Sequence, residues 1–375
     1  MKKHVVAMVL VGGRGTRLGA ITMDKAKPAV TFGGKYKLID FVLSNISHSG
    51  IDTVGIVTQY EPHALMHYIQ RGASWDLDVS DGGVHFLTPY TGHDGEKWQS
   101  GTAHAIAQHL HFLHAYNPDH VVVLSGDHVY KMDYRPMIQA HEKNHADVTV
   151  GAFKPHDSLS RYGVLTLDAN DRVTAFSEKP THPEGDLASM GVYVFTREAL
   201  SRVLSENVEN DADFGRDIIP KALHGDDRVF GYRFEDYFRD VGTIESLFEA
   251  NMDLLDHPEY LKIHDYQTLP IYTKTEDLPP HHNMSQAGVK NALVSDAAMI
   301  MGRVERSVIS SGVLVKENAL VRDSVVFSNV TIGEHATLQN ALVLEGTVIL
   351  PKTRLEFDTP TVVNNASLWK LGEMA

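Results

Sequence analysis

The stretch "VVAMVLVGGRGTRL" (5–18) decides how the first half of the chain is read. Val5–Val11 is an unbroken apolar run, the pattern of a strand buried on both faces. Two lysines before it imitate a signal peptide, but the run is short and lacks a small-residue cleavage site. Glycines and two arginines follow directly, where a strand would end. The spacing fails the dinucleotide fingerprint, because Leu18 stands in the third glycine slot. It fails the Walker loop as well, and "FGGKYK" has no Ser or Thr after Lys35. Two readings remain. One is an anion cradle of converging backbone N–H groups, with Arg14 and Arg17 adding bidentate charge. The other is a tight strand-exit turn with surface arginines.

Strands and helices alternate downstream. His4–Val11, Thr53–Thr58 and "HVVVLSGDH" (120–128) read as strands. Helices are expected at Phe41–Ser49, with Asp40 as N-cap and Gly50 as stop, and at Pro62–Arg71, Thr102–His114 and Arg135–Asn144. The alternation predicts an α/β domain with a mixed, mostly parallel sheet, whose ligands bind beyond the carboxyl ends of the strands. Both "GGRGTR" and "GDH" fall at such ends. Shorter strands at Val148–Phe153, Val173–Glu178 and Met190–Thr196 continue the domain, and a helix at Glu245–Leu255 closes it.

Composition narrows the classes. The chain has 375 residues, 43% of them hydrophobic, enough for a large core and two domains. Its formal net charge of −14 argues against nucleic-acid binding. With no cysteine there is no disulfide, thiolate metal site or Cys nucleophile, which is compatible with a cytoplasmic protein. No apolar segment has the length of a membrane span.

Near Val289 the texture changes. Val308, Leu314, Leu320, Val326, Ile332, Leu338, Leu344 and Leu350 are all aliphatic and six apart. That period suits neither helix nor plain strand; it suits hexapeptide coils of a parallel β-helix. The expected domains are 1–255, a polar linker at 256–288, and a β-helix at 289–375. Eight hexads make fewer than three coils of three.

Further residue types point to phosphate chemistry. In "KAKPAV", Lys27 is a candidate charge clamp. In "SGDHVY" and "FRDVGT", Asp127 and Asp240 could share one Mg²⁺ between substrate phosphates, though a loop Asp more often caps or turns. In "FSEKP", Lys179 can hold a sugar phosphate and Glu178 can accept hydroxyl hydrogen bonds; an exposed charged strand end is the plainer reading. There is no G-x-S-x-G elbow. "HEKNH" (141–145) carries two histidines around Glu142, but it reads as the end of an amphipathic surface helix rather than a zinc site.

Taken in order, "GGRGTRL", "KAKPAVTFGGKYKLIDFVLSN", "GIVTQY", "SGDHVYKMDY", "EKP", "LASMGVYVF", "DFGRDIIP" and "FRDVGTIESLFEAN" closely resemble the bacterial glucose-1-phosphate adenylyltransferases (ADP-glucose pyrophosphorylases). The resemblance implies a Rossmann-like nucleotidyltransferase domain followed by a left-handed parallel β-helix. It implies transfer of AMP from ATP to glucose 1-phosphate, giving ADP-glucose and pyrophosphate for glycogen synthesis. Arg17, Lys27 and Asp127 would be catalytic. Gly12, Gly13, Arg14, Gly15, Thr16, Gln59, Gly101 and Thr102 would bind ATP. Gln99, Gly163, Glu178, Lys179 and Ser189 would bind glucose 1-phosphate, and Asp127 and Asp240 would hold Mg²⁺. A homotetramer is implied, possibly with a paralogous regulatory subunit. A non-catalytic subunit of the same family is the first rival, disfavoured because Arg17, Lys27, Asp127, Lys179 and Asp240 are all present. Use of another nucleoside triphosphate is the second. A bifunctional uridylyltransferase–acetyltransferase is the third, disfavoured by the short coil count.

Departures from the family pattern carry one prediction. "WQSGTAHA" has Gln99 where the family usually has Tyr, and His104 where it has Asp or Asn. Where relatives often carry basic residues that serve sugar-phosphate activators, this chain has Asp24 and Lys25, and only a few residues stand before its first strand here, so the N-terminal extension of many relatives is not expected. Asp24 repels an anionic effector. Activation by fructose 1,6-bisphosphate is therefore expected to be weak in steady-state kinetics; a large fold-activation contradicts this.

Overall fold

A computed structural model describes residues 4–12, 15–58, 62–89, 101–155, 158–205 and 212–371. Two compact units emerge: Met1–Gly13 with Phe41–Phe238, and Arg14–Asp40 with Arg239–Ala375.

The first unit is built on a nine-stranded mixed sheet. Its strands are β1 (Val5–Leu10), β2 (Thr53–Val57), β3 (Gly83–Leu87), β4 (His120–Ser125), β5 (Val148–Phe153), β6 (Gly163–Leu167), β7 (Val173–Glu178), β8 (Leu187–Thr196) and β9 (Val229–Phe234). The order is β7-β6-β8-β4-β1-β2-β3, with β5 joining β8 to β9. Strands β4, β1, β2 and β3 pair in parallel, and β8 runs antiparallel to β4. The all-apolar first strand is explained: Val6, Ala7, Met8 and Val9 are fully buried. Leu10 lies level with Val57 on one side and Ser125 on the other. Gly12 and Asp127 therefore leave adjacent parallel strands at the same carboxyl edge. The long β8 contains a bulge between Ser189 and Tyr193, which frees a stretch of strand from regular pairing.

Helix boundaries shift by a few residues, with one instructive case. The helix expected from Phe41 begins at Leu38. Asp40 is not its N-cap; it sits in the first turn and its carboxylate accepts from the Lys37 backbone N–H at 2.9 Å. That is the reach-back half of a capping box. The helix expected over Thr102–His114 is two, Thr102–Ala107 and Leu110–Tyr116.

The second unit holds a stack of parallel rungs, the architecture of a left-handed β-helix. Rungs begin at His282–Asn283, within the expected linker. One sheet stacks His282, Met299, Leu314, Thr331 and Val348, so it has five rungs among the described residues, more than eight hexads suggest. The repeat is also different. Val304, Val321, Leu338 and Leu355 stack in register, each 17 residues after the last. Ile309, Val326 and Val343 do the same, as do Val315, Ile332 and Ile349. The inward positions thus advance by five, six and six, not by a uniform six. A strict six-residue count meets this buried series only at Val326, Ile332 and Leu338. At the short side, the Ser324 N–H donates to Ser307 Oγ (3.1 Å) and the Ala341 N–H to Ser324 Oγ (3.2 Å), binding each coil to the next. The corners turn through left-handed residues, among them Asn318, His335 and Lys352 in one column.

The helix Ile244–Asp256, expected to close the first domain, groups with the second unit. Thr243 and Ser246 form its capping box. Arg306 of the coil clamps its last residue, Asp256, through Nε (3.0 Å) and Nη2 (2.6 Å). The "KPAVTFGG" region joins the same unit. Gly33 donates its N–H to the buried Asn251 side chain (2.9 Å). Gly34, at φ 86°, leaves no space for a side chain, since a Cβ would stand 2.5 Å from Ser295 Oγ.

The 17-residue repeat predicts unequal costs at neighbouring sites. Val343 points into the coil and Leu344 does not. Val343→Ala is expected to lower unfolding free energy by about 2 kcal/mol. Leu344→Ala, despite deleting more carbon, should cost under about 1 kcal/mol. Denaturant titration checks this; a reversed order contradicts the register.

Candidate active site

The expected site residues fall into three groups, one in the second unit and two in the first. In the second unit, Gly15 takes a left-handed conformation (φ 56°) and its carbonyl accepts from the Leu18 N–H (2.8 Å) and Thr22 Oγ1 (2.9 Å). This winds Thr16–Thr22 into tight helical turns and leaves Thr16 and Arg17 exposed. A Cβ on Gly15 would crowd Lys27 Cβ at 3.3 Å, so the glycine also lets the lysine stem pass. Lys27 follows in the next short turn, its side chain 8% exposed, with Nζ 3.0 Å from Asp240 Oδ1. A lysine so buried requires an anion, and Asp240 supplies it. Gly242 completes the group: a Cβ there would lie 2.9 Å from Arg17 Nη2 and 3.1 Å from Asp240 Oδ1. Sequence reasoning misses Gly242, whose only signal is its place in "RDVGT". Arg17, Lys27 and Asp240 thus assemble from both ends of the unit's sequence.

In the first unit, Asp127 stands at the carboxyl edge of β4. Ser125 Oγ donates to its Oδ1, and His128 Nε2 lies 3.6 Å from the same oxygen. His128 packs edge-on against Phe238, ring centres 5.2 Å apart.

The third cluster lies at the ends of β6, β7 and β8. Gly163 pairs with Glu178 across β6 and β7. The Glu178 carboxylate is enclosed by two glycines: a Cβ on Gly163 would meet Oε2 at 2.8 Å and one on Gly215 at 2.5 Å. Lys179 Nζ pairs with Glu178 Oε1 at 2.8 Å, while the lysine itself is exposed. Its backbone adopts φ 45°, strained for a lysine, and its N–H donates to the Tyr162 carbonyl (3.0 Å). In the β8 bulge, Ser189 Oγ accepts from the Gly191 N–H (3.2 Å) and lies 3.5 Å from Tyr193 OH. Burial, reinforced by the Asp213 and Glu178 carboxylates, pushes the Tyr193 phenol well above its ordinary pKa, so it stays a neutral hydroxyl. Sequence reasoning misses Tyr193, Asp213 and Gly215 as well.

Gly101 and Thr102 begin the helix Thr102–Ala107. His104 is buried on that helix, with Nε2 3.4 Å from Gln108 Nε2. Exposed Asp24 precedes Lys25, which pairs with Glu345 of the coil at 3.6 Å. Gly13, Arg14, Gln59 and Gln99 lie outside the described residues.

The "HEKNH" stretch is committed to structure. His141 Nδ1 contacts Thr149 Oγ1 (2.8 Å), Glu142 pairs with His120 (3.1 Å), and His145 lies past the helix end. Among the described residues, no group of three or more His, Asp or Glu is arranged for a metal, and no helix is long and apolar enough to cross a membrane. Asp127, in the first unit, and Asp240, in the second, each carry hard oxygen donors of the kind Mg²⁺ takes.

The Lys27–Asp240 pair can be tested without any ligand. Asp240→Ala leaves a mostly buried ammonium without this partner and is expected to cost about 1–3 kcal/mol. Lys27→Met with Asp240→Ala should recover part of that loss. Strict additivity in the double-mutant cycle contradicts the pair.

The Nucleotidyl transferase family model matches residues 6–257, and the model described as "GlmU-like, C-terminal hexapeptide" matches residues 279–362. A glucose-1-phosphate adenylyltransferase of Clostridium acetobutylicum is 46% identical over 324 residues, 85% of each chain. One of Desulfitobacterium hafniense is 45% identical over 327 residues, covering 86% of this chain and 82% of that one. One of Geobacillus stearothermophilus is 46% identical over 326 residues, covering 86% and 84%. The first family match covers the sheet strands and their carboxyl-edge residues, and the second covers the coil. The chain is a member of the nucleotidyl transferase family and belongs with the glucose-1-phosphate adenylyltransferases.

Proposed function

We propose that the chain transfers AMP from ATP to glucose 1-phosphate, releasing pyrophosphate and ADP-glucose for glycogen synthesis. The carrying observation is the likeness to enzymes of that name over 85% of the chain. The presence of Arg17, Lys27, Asp127, Glu178, Lys179 and Asp240 supports it.

An oxygen of the sugar phosphate attacks the α-phosphorus of ATP. The bond from that phosphorus to the bridging oxygen breaks, and pyrophosphate leaves with the electron pair. No protein nucleophile is needed, so catalysis is alignment plus charge neutralisation. Gly12, Gly13, Arg14, Gly15 and Thr16 cradle the triphosphate. Arg17 and Lys27 offset its charge, and the Asp240 pairing holds the Lys27 side chain in place beforehand. Gln59 and Gly101 complete the nucleotide side. Lys179 and Gln99 take the sugar phosphate, and Glu178, Ser189 and Gly163 take the glucose. Nucleotidyl transferases generally use a divalent metal; Asp127 and Asp240 would hold Mg²⁺, whose charge offsets that of the phosphate oxygens. The working form is a homotetramer.

The uridylyl–acetyl reading loses its objection from coil length, because the coil has five rungs among the described residues. The adenylyltransferase name of the relatives favours ATP. Pyrophosphate release from ATP, UTP, dTTP and GTP with glucose 1-phosphate tests it. ATP is expected to dominate with this chain alone. Preference for UTP or dTTP, or turnover only with a second subunit, overturns the reading. Asp127→Asn should abolish turnover with the circular dichroism spectrum unchanged, and near-normal activity would remove Asp127 from the metal site.

A further inference from the structure

Thr102 heads the helix Thr102–Ala107 but does not cap it in the ordinary way. Its hydroxyl reaches a segment 111 residues away. Thr102 Oγ1 donates to Asp213 Oδ2 at 2.7 Å and accepts from the Phe214 N–H at 3.0 Å. The Ala103 N–H adds a bond to the Ala212 carbonyl at 3.0 Å. One threonine hydroxyl thus commits its single donor and one of its two acceptor lone pairs to a single turn, leaving no O–H to donate to a ligand.

That turn is otherwise held by its own ends. Asp213 Oδ1 accepts from the N–H groups of Gly215 (2.9 Å) and Arg216 (3.3 Å), and Asp217 Oδ2 accepts from the Asp213 N–H (2.7 Å). The backbone from Phe214 to Ile218 is wound into a π-helical turn, a form that is rare and needs such support. Two of its residues then face the sugar-side cluster. Gly215 abuts Glu178 Oε2 so closely that no Cβ fits. Phe214, buried, stacks on Tyr193 with ring centres 5.6 Å apart and planes 23° apart. Tyr193 in turn places its hydroxyl beside Ser189.

We propose that Thr102 is a positioning residue for the sugar side of the site: through Asp213 it fixes the turn that sets Glu178, by Gly215, and Ser189, by Phe214 and Tyr193. It does not touch the nucleotide, in contrast to the role that the family resemblance implies for it. The inference rests on the adenylyl-transfer reading for the identity of the sugar ligand. Its physical basis is that an error of about 1 Å in a carboxylate that accepts hydroxyl hydrogen bonds weakens binding without altering groups elsewhere.

The test is a KM split. Thr102→Val keeps the shape and deletes both hydrogen bonds. The KM for glucose 1-phosphate is expected to rise about tenfold, while the KM for ATP stays within about twofold. Thr102→Ser, which restores the hydroxyl, should return the glucose 1-phosphate KM to near the wild-type value. Gly215→Ala pushes on Glu178 from the other end and should give the same one-sided rise, so the inference stands or falls even if the valine variant does not fold. A selective rise in the ATP KM for Thr102→Val means a nucleotide contact and overturns the inference. So does an unchanged glucose 1-phosphate KM in both variants while the wild type turns over. Absence of pyrophosphate release by the wild-type chain instead overturns the adenylyl-transfer reading itself.

Discussion

The salt bridge from Lys27 Nζ to Asp240 Oδ1, 3.0 Å long and largely shielded from water, is the constraint on which the second unit depends. It joins residues 213 apart in sequence, and it does not act alone. Farther along the same segment Gly33 reaches Asn251, and Gly34 lies flat on the coil at Ser295. Together these contacts bind the segment 14–40 to the helix Ile244–Asp256 and to the rungs beneath it. A buried ammonium is costly without an anion at hand, and this carboxylate supplies one. The same carboxylate is one of the two proposed to hold the metal. Packing of the second unit and the proposed placement of charge therefore draw on one pair of residues.

The "KPAVTFGGKYKLIDF" block is understandable in these terms. It carries Lys27, the Gly33–Gly34 turn of the hairpin Thr31–Phe32/Tyr36–Lys37, and Asp40. Lys27 pairs with the distant carboxylate, the two glycines permit close approach where no side chain fits, and Asp40 caps the Lys37 backbone N–H. A chemistry that needs no protein nucleophile asks for such rigidity, because the rate depends on where fixed charges stand rather than on a reactive side chain.

Much of this was legible in the sequence, and the rest was not for definite reasons. The strand Val5–Leu10 and the edge residue Asp127 could be read because a doubly buried parallel strand has no polar positions to confuse the pattern. The coil was legible as a class, yet its register was not. Residues that point out of the coil, such as Val308 and Leu344, are aliphatic too, so a six-residue count drifts off the true 17-residue repeat without meeting a polar residue. Asp40 misleads because an acid serves equally at the cap or inside the first turn, and only geometry separates the two. The helix Ile244–Asp256 shows the expected periodicity, but periodicity does not say which unit it covers. Gly215 and Gly242 were invisible for a further reason: what matters is the atom that a missing Cβ would strike, and that atom belongs to a residue distant in sequence.

The central claim is that the AMP moiety of ATP is moved onto a sugar phosphate. Incubation of the purified chain with ATP labelled at the α-phosphorus, glucose 1-phosphate and Mg²⁺ tests it most directly. The label is predicted to appear in ADP-glucose, with unlabelled pyrophosphate released in equal amount. Label that stays in ATP, or that leaves as AMP with no nucleotide sugar formed, contradicts the account.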